Sequence, residues 1–139
     1  MTEMTHTPGP WRWEVNRNSH RVELTGTAGK VPFDNVVLSF KRWGTQSATP
    51  VFWFWNDPNI SDEPKKAHEI AIPAEGREHH EDWFRIIDHP DAYLIAAAPD
   101  LLAVCKEFVR KCENSEISAS VPSDMYEAIK KAEKGKEAK

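Results

Sequence analysis

This sequence predicts an α+β fold: an antiparallel β-meander of about four strands packed against two or three C-terminal helices. Three observations carry that expectation. Polar and apolar residues alternate through the first half, as they do in half-buried strands. An apolar stripe of helical spacing occupies the second half, at Leu101, Leu102, Cys105, Phe108, Val109 and Cys112. All the strands come before all the helices, an order that places helices over one face of a sheet.

The elements follow in chain order. Pro8 and Pro10 remove two backbone donors from Thr7-Pro8-Gly9-Pro10-Trp11, so this segment is a stiff lead-in and not a central strand. It either pins Trp11 into the core over a sheet edge, or presents His6 and Thr7 to a ligand. Trp11, Trp13 and Val15 share one strand face, with Arg12 and Glu14 on the other. A turn at 16–19 leads into a second strand at 21–25, completing a hairpin, and 26–30 forms another turn. Residues 35–40 and 51–55 are two further strands, split by a loop over 44–50. The last of them, Val51-Phe52-Trp53-Phe54-Trp55, is apolar on both faces. It belongs to the core, to an oligomer interface or to a surface that stacks on a base.

Pro58, Pro64 and Pro73 bar a long helix from the irregular excursion at 56–81, which leaves room for one short strand at 69–72. A short turn over 82–87 ends at Pro90. Asp91 can cap a helix reaching Ala98, after which Pro99 either kinks it or opens a new one. The final helix, 123–134, turns Met125, Tyr126 and Ile129 inward. The chain reads as one domain over 1–139, with flexible ends at 1–5 and 130–139.

Composition narrows the function. Six Trp and six Phe supply buriable area although only 40% of the 139 residues are hydrophobic. A net charge of −4 argues against general nucleic-acid binding, while leaving a local basic pocket open. Cys105 and Cys112 lie two helical turns apart, about 10 Å along the axis, too far for a disulfide. Reduced cysteines, and no secretory leader or long apolar run, predict a cytoplasmic protein without a membrane span. The histidines, His6, His20, His68, His79, His80 and His89, lack zinc-site spacing, and Glu78-His79-His80-Glu81 points its neighbours in different directions. No metal or other cofactor is expected.

Two candidate sites remain. His6, His89 and Asp91 can form a general acid–base set for metal-free phosphodiester cleavage, if the fold brings them together; otherwise His6 is an exposed side chain and His89 a turn residue. Thr7, Trp11, Arg12, Arg17, Arg21 and Arg42 (or its neighbour Lys41) can instead bind a nucleotide. Arginine forks grip phosphate through paired hydrogen bonds and aromatic rings stack on bases.

Two phrases, His6-Thr7-Pro8-Gly9-Pro10-Trp11 and Asp91-Ala92-Tyr93-Leu94-Ile95-Ala96-Ala97-Ala98-Pro99-Asp100-Leu101-Leu102, add a resemblance. The chain resembles small phage and prophage proteins that open with the first phrase and close with the second, where Asn usually stands in place of Asp91. The resemblance implies a phage accessory protein of the host cytoplasm. By analogy it implies counter-defence: capture of a nucleotide immune signal such as a cyclic dinucleotide or an ADP-ribose derivative, its cleavage by a phosphodiesterase, or direct binding of a host defence protein. Capture in a pocket at a subunit interface of a homo-oligomer is the leading expectation. It requires the tryptophan-bearing arm and the alanine-rich helix to lie side by side.

Overall fold

The computed structural model describes residues 6–26, 35–54, 64–73, 75–76, 78–79 and 84–135. Residues 27–30 of the second expected turn, Trp55, much of the 56–81 excursion, His80 and the stretches 1–5 and 136–139 lie outside them. The chain divides into two compact units, 1–94 and 95–139.

In the first unit, β1 (Arg12–Asn16), β2 (Arg21–Gly26), β3 (Asn35–Trp43), β4 (Ser47–Phe52) and β5 (Lys65–Lys66) form one sheet, ordered as in the sequence. Every pairing is antiparallel. A second small sheet joins β6 (Ala71–Ile72) to β7 (Ile86–Ile87). Two helices follow, α1 (Pro90–Glu113) and α2 (Ser123–Lys134). The α+β class is therefore the one the sequence predicts, with one strand more in the meander.

Local chemistry accounts for the differences. β5 is two lysines, which carry no apolar alternation to read. The strand expected at 69–72 is confined to Ala71 and Ile72, because residues Ala67–Glu69 coil into a 3-10 turn around buried Ala67. The turn expected over 82–87 contains strand β7 at its end. The loop expected over 44–50 shrinks to a tight turn, where Gly44 adopts φ +74, open to glycine at little cost. Pro50 then sits within β4. Its missing N–H is tolerated because β5 pairs only with Val51 and Phe52, so Pro50 lies just beyond the β4–β5 ladder.

The turn between β1 and β2 is built by Asn16, whose Oδ1 accepts the N–H groups of Asn18 and Ser19, each at 3.0 Å. Pairing between β2 and β3 is limited to Leu24, Thr25 and Gly26 against Leu38, Val36 and Asn35, with a bulge after Leu24. Beyond Leu24 the β1–β2 hairpin and the β3–β4 hairpin part. The core sits where they join: Leu24, Val37, Leu38, Phe52 and Ala67, with Trp11, Ile70, Ile87 and Ala92 packed against it. Of the three apolar residues that alternate from Trp11, only Trp11 reaches this core; Trp13 and Val15 remain 59% and 65% exposed.

α1 begins before Ile95, where the second unit starts, and runs through Pro99 without ending, so the choice between a kinked helix and a new one resolves to a single helix. Pro99 cannot donate to the Ile95 carbonyl, a loss that continued winding on either side absorbs. Cys105 and Cys112 are free and half-buried on the expected stripe. Lys106 Nζ reaches Glu133 Oε2 at 3.0 Å, and the Tyr126 hydroxyl donates to Glu113 Oε1 at 2.9 Å, tying α2 to α1. Gly135, at φ +64, closes α2 by donating to the Lys131 carbonyl.

Arg110 bridges Glu107 Oε1 at 2.7 Å and Glu116 Oε2 at 3.1 Å. The guanidinium holds the Glu107 carboxyl below the ordinary glutamate range, and both carboxylates raise Arg110. All three side chains stand in water, where such pairs contribute little. Their contribution exists above the ordinary glutamate range and fades as pH falls through the lowered Glu107 value. Arg110→Ala is expected to leave the thermal midpoint at neutral pH unchanged within error; a clear fall would mean the bridge orders the end of α1.

Candidate functional site

The two phrases that mark the sequence meet at a buried latch. Thr7 is 3% exposed and Asp91 is fully buried. The Thr7 backbone N–H donates to Asp91 Oδ1 and its hydroxyl donates to Asp91 Oδ2, both at 2.6 Å. The Thr7 carbonyl accepts from Trp11 Nε1 and His6 Nδ1, each at 2.9 Å. Thr7 thus has all its polar groups engaged, and the proline-rich arm can place it so because Pro8 and Pro10 restrict the backbone beside it. The Gly9–Pro10 peptide is cis.

His89 holds the other side of the latch. Its carbonyl accepts the N–H of Tyr93, and its Nδ1 accepts the N–H of Asp91 at 3.0 Å, so His89 and not Asp91 caps α1. Pro90 occupies the first helical position, where no donor is needed. A backbone N–H can only donate, so Nδ1 is the bare nitrogen and Nε2 carries the proton. That proton goes to the Trp53 carbonyl, at 2.6 Å. Phe52 and Phe54 enclose the imidazole, with ring centroids 5.1 and 4.6 Å away. The Asp91 carboxylate lies in the first turn of α1, where the positive end of the helix dipole favours it.

The structure therefore brings His6, Thr7, Trp11, His89 and Asp91 into one neighbourhood. Both ring nitrogens of buried His89 and both oxygens of Asp91 are engaged within the protein. His6 alone of the acid–base candidates is exposed, with its ring edge-on to Trp11 at 6.3 Å.

Gly26 is the seat on which the arm rests. A Cβ there would lie 2.6 Å from the Pro8 carbonyl oxygen, 3.1 Å from Thr7 Cγ2 and 3.2 Å from Trp11 Cδ1. Only a glycine lets the arm come this close to β2.

The remaining candidates are spread over the sheet. Arg12 pairs with Glu14 at 2.9 Å and Arg21 with Glu23 at 3.2 Å, on one face of the β1–β2 hairpin. Arg17 lies in the turn of that hairpin, exposed. Arg42 binds the Gly44 and Thr45 carbonyls, and strand alternation places it on the opposite face from Arg12 and Arg21. Of these arginines, Arg21 lines a cleft of about 570 Å³ left where the two hairpins part. Lys41, His20, Phe40, Trp53 and Ser39 line it too. Sequence reasoning missed His20, Phe40 and Ser39, because it is the end of pairing at Leu24, invisible in alternation, that opens the cleft. Trp53 links the two features: His89 holds its carbonyl while the residue borders the cleft. Among the described residues, no three histidine, cysteine or carboxylate side chains gather to hold a metal ion.

Comparison with curated proteins and with solved structures returns no match. A family model described as Salmonella phage P22 protein Y8K6 matches residues 1–137. With nearly the whole chain matched, this is a phage protein that belongs to the Y8K6 family.

Proposed function

We propose that the protein binds and sequesters a nucleotide immune signal of the phage's host, a cyclic dinucleotide or an ADP-ribose derivative, in the cleft between the two hairpins. One observation carries this reading: the cleft gathers two cations, Arg21 and Lys41, with two aromatic residues, Phe40 and Trp53. Cations answer phosphates and rings answer bases. The acidic net charge is no obstacle, since the local field decides the contact. An incoming phosphate has to displace Glu23 from Arg21. His89 acts at a distance, as a positioning residue for Trp53. Capture is favoured over cleavage because the polar atoms of His89 and Asp91 are already committed within the latch. The host cytoplasm, where such signals form, is the proposed place of action; no helix among the described residues is long and apolar enough to cross a membrane.

Equilibrium dialysis against labelled cyclic dinucleotides and ADP-ribose derivatives, followed by heating, tests this. Intact nucleotide is expected back in stoichiometric amount. Arg21→Glu and Lys41→Glu should each weaken binding about 10- to 100-fold, the range for loss of a charged hydrogen bond. Cleaved product from substoichiometric protein, abolished by His6→Ala, would identify a phosphodiesterase instead. Absence of binding across these nucleotides would overturn the reading and favour an inhibitor that binds a host protein.

A further inference from the structure

We propose that two copies of this chain join through β1, edge to edge, into one continuous antiparallel sheet. β1 is the outermost strand of the meander, and among the described residues no strand flanks its outer side. Soluble proteins usually blunt such an edge with lysine, proline or a bulge. β1 has none of these within it: Arg12-Trp13-Glu14-Val15-Asn16 is regularly paired to β2 on its inner side and exposed along its whole length. Trp13 and Val15 are among the most exposed apolar side chains of the first unit, and Val22, opposite Val15, is 42% exposed.

The charge pattern selects the register. Residues that face each other across an antiparallel pair project from the same face, and side chains alternate with period two. A two-fold pairing of β1 with itself therefore opposes residues of like parity. Centred on Trp13, it sets Trp13 against Trp13, Arg12 against Glu14 of the second copy, and Trp11 against Val15. Both charged contacts are then complementary, and the apolar face runs unbroken across the seam. Centred on Glu14, the same strand would oppose two glutamates and leave Arg12 facing Asn16. Within one chain Arg12 and Glu14 already meet at 2.9 Å on one face, so each side chain needs only to exchange its partner. Pro10, which lacks an N–H, and the Asn16 turn bound the ladder at its two ends.

The assembly does not depend on what fills the cleft, so its test is separate from ligand binding. Sedimentation of the full chain over a range of concentrations is expected to show a reversible dimer. Arg12→Glu or Glu14→Arg places like charges at both symmetric contacts, and each should raise the dissociation constant about tenfold or more. The double variant Arg12→Glu/Glu14→Arg recreates complementarity in the same register and should restore the dimer. Circular dichroism checks that each variant is folded. A wild-type chain that stays monomeric, a dimer indifferent to both single reversals, or a double variant that fails to recover would overturn the proposal.

Discussion

Replacing Asp91 with Ala is expected to destabilise the protein by about 3 kcal/mol or more, lowering the thermal midpoint by roughly 10 °C. The carboxylate is fully buried and accepts both the amide and the hydroxyl of Thr7. Alanine would leave two buried donors without acceptors, and an unsatisfied buried donor costs about 1–3 kcal/mol. Asp91→Asn should behave differently. Its oxygen can still accept the Thr7 N–H, while its amide donates to the Thr7 hydroxyl, which can turn to accept. The expected cost is within about 1 kcal/mol. Denaturant unfolding gives both energies, and hydrogen exchange at the Thr7 amide reports whether the arm is released. An Asn variant as damaged as the Ala variant would show that the negative charge at the start of α1, and not the paired acceptors, holds the latch.

Gly26→Ala is expected to produce the second large effect, about 1–3 kcal/mol, from the opposite side of the same arm. The new methyl would meet the Pro8 carbonyl oxygen at 2.6 Å, and that oxygen belongs to backbone that cannot rotate away. β2 and the arm must separate. Since that motion also draws Thr7 from Asp91, the two substitutions relieve one contact between them. The double variant Gly26→Ala/Asp91→Ala should therefore lose less stability than the sum of the singles. Strict additivity would mean that arm and latch are independent.

How much of this was legible depends on the range of the interaction. Alternation from Trp11 to Val15 marks a strand and its apolar face because both are local properties. It does not say whether anything covers that face, and Trp13 and Val15 are uncovered. The stripe from Leu101 to Cys112 likewise gives a helix, while Pro99 inside α1 shows that proline is a bias against helix and no absolute stop. Lys65 and Lys66 join the sheet through backbone bonds to β4, for which their side chains carry no signal.

The site was legible in its parts and not in its geometry. His6, Thr7, Trp11 and Asp91 stand out in the two phrases, and His89 lies two residues before the second, yet no local rule pairs residue 7 with residue 91. The role of His89 was hidden for a related reason. Histidine is a rare helix cap, and its capping depends on Asp91 N–H and the Trp53 carbonyl lying on either side of one ring. The cleft was the least legible, because it arises from pairing that stops at Leu24 and not from any residue that declares a pocket.

The 84-residue span between the two halves of the latch also orders its birth. Ribosomes deliver the arm first and the start of α1 much later. Until Asp91 has emerged, Thr7 has no acceptor and Gly26 no settled visitor, whatever the early hairpins have achieved. The arm is thus made before the strands and fastened only after them, and its docking certifies that translation has passed the strands and reached the helices.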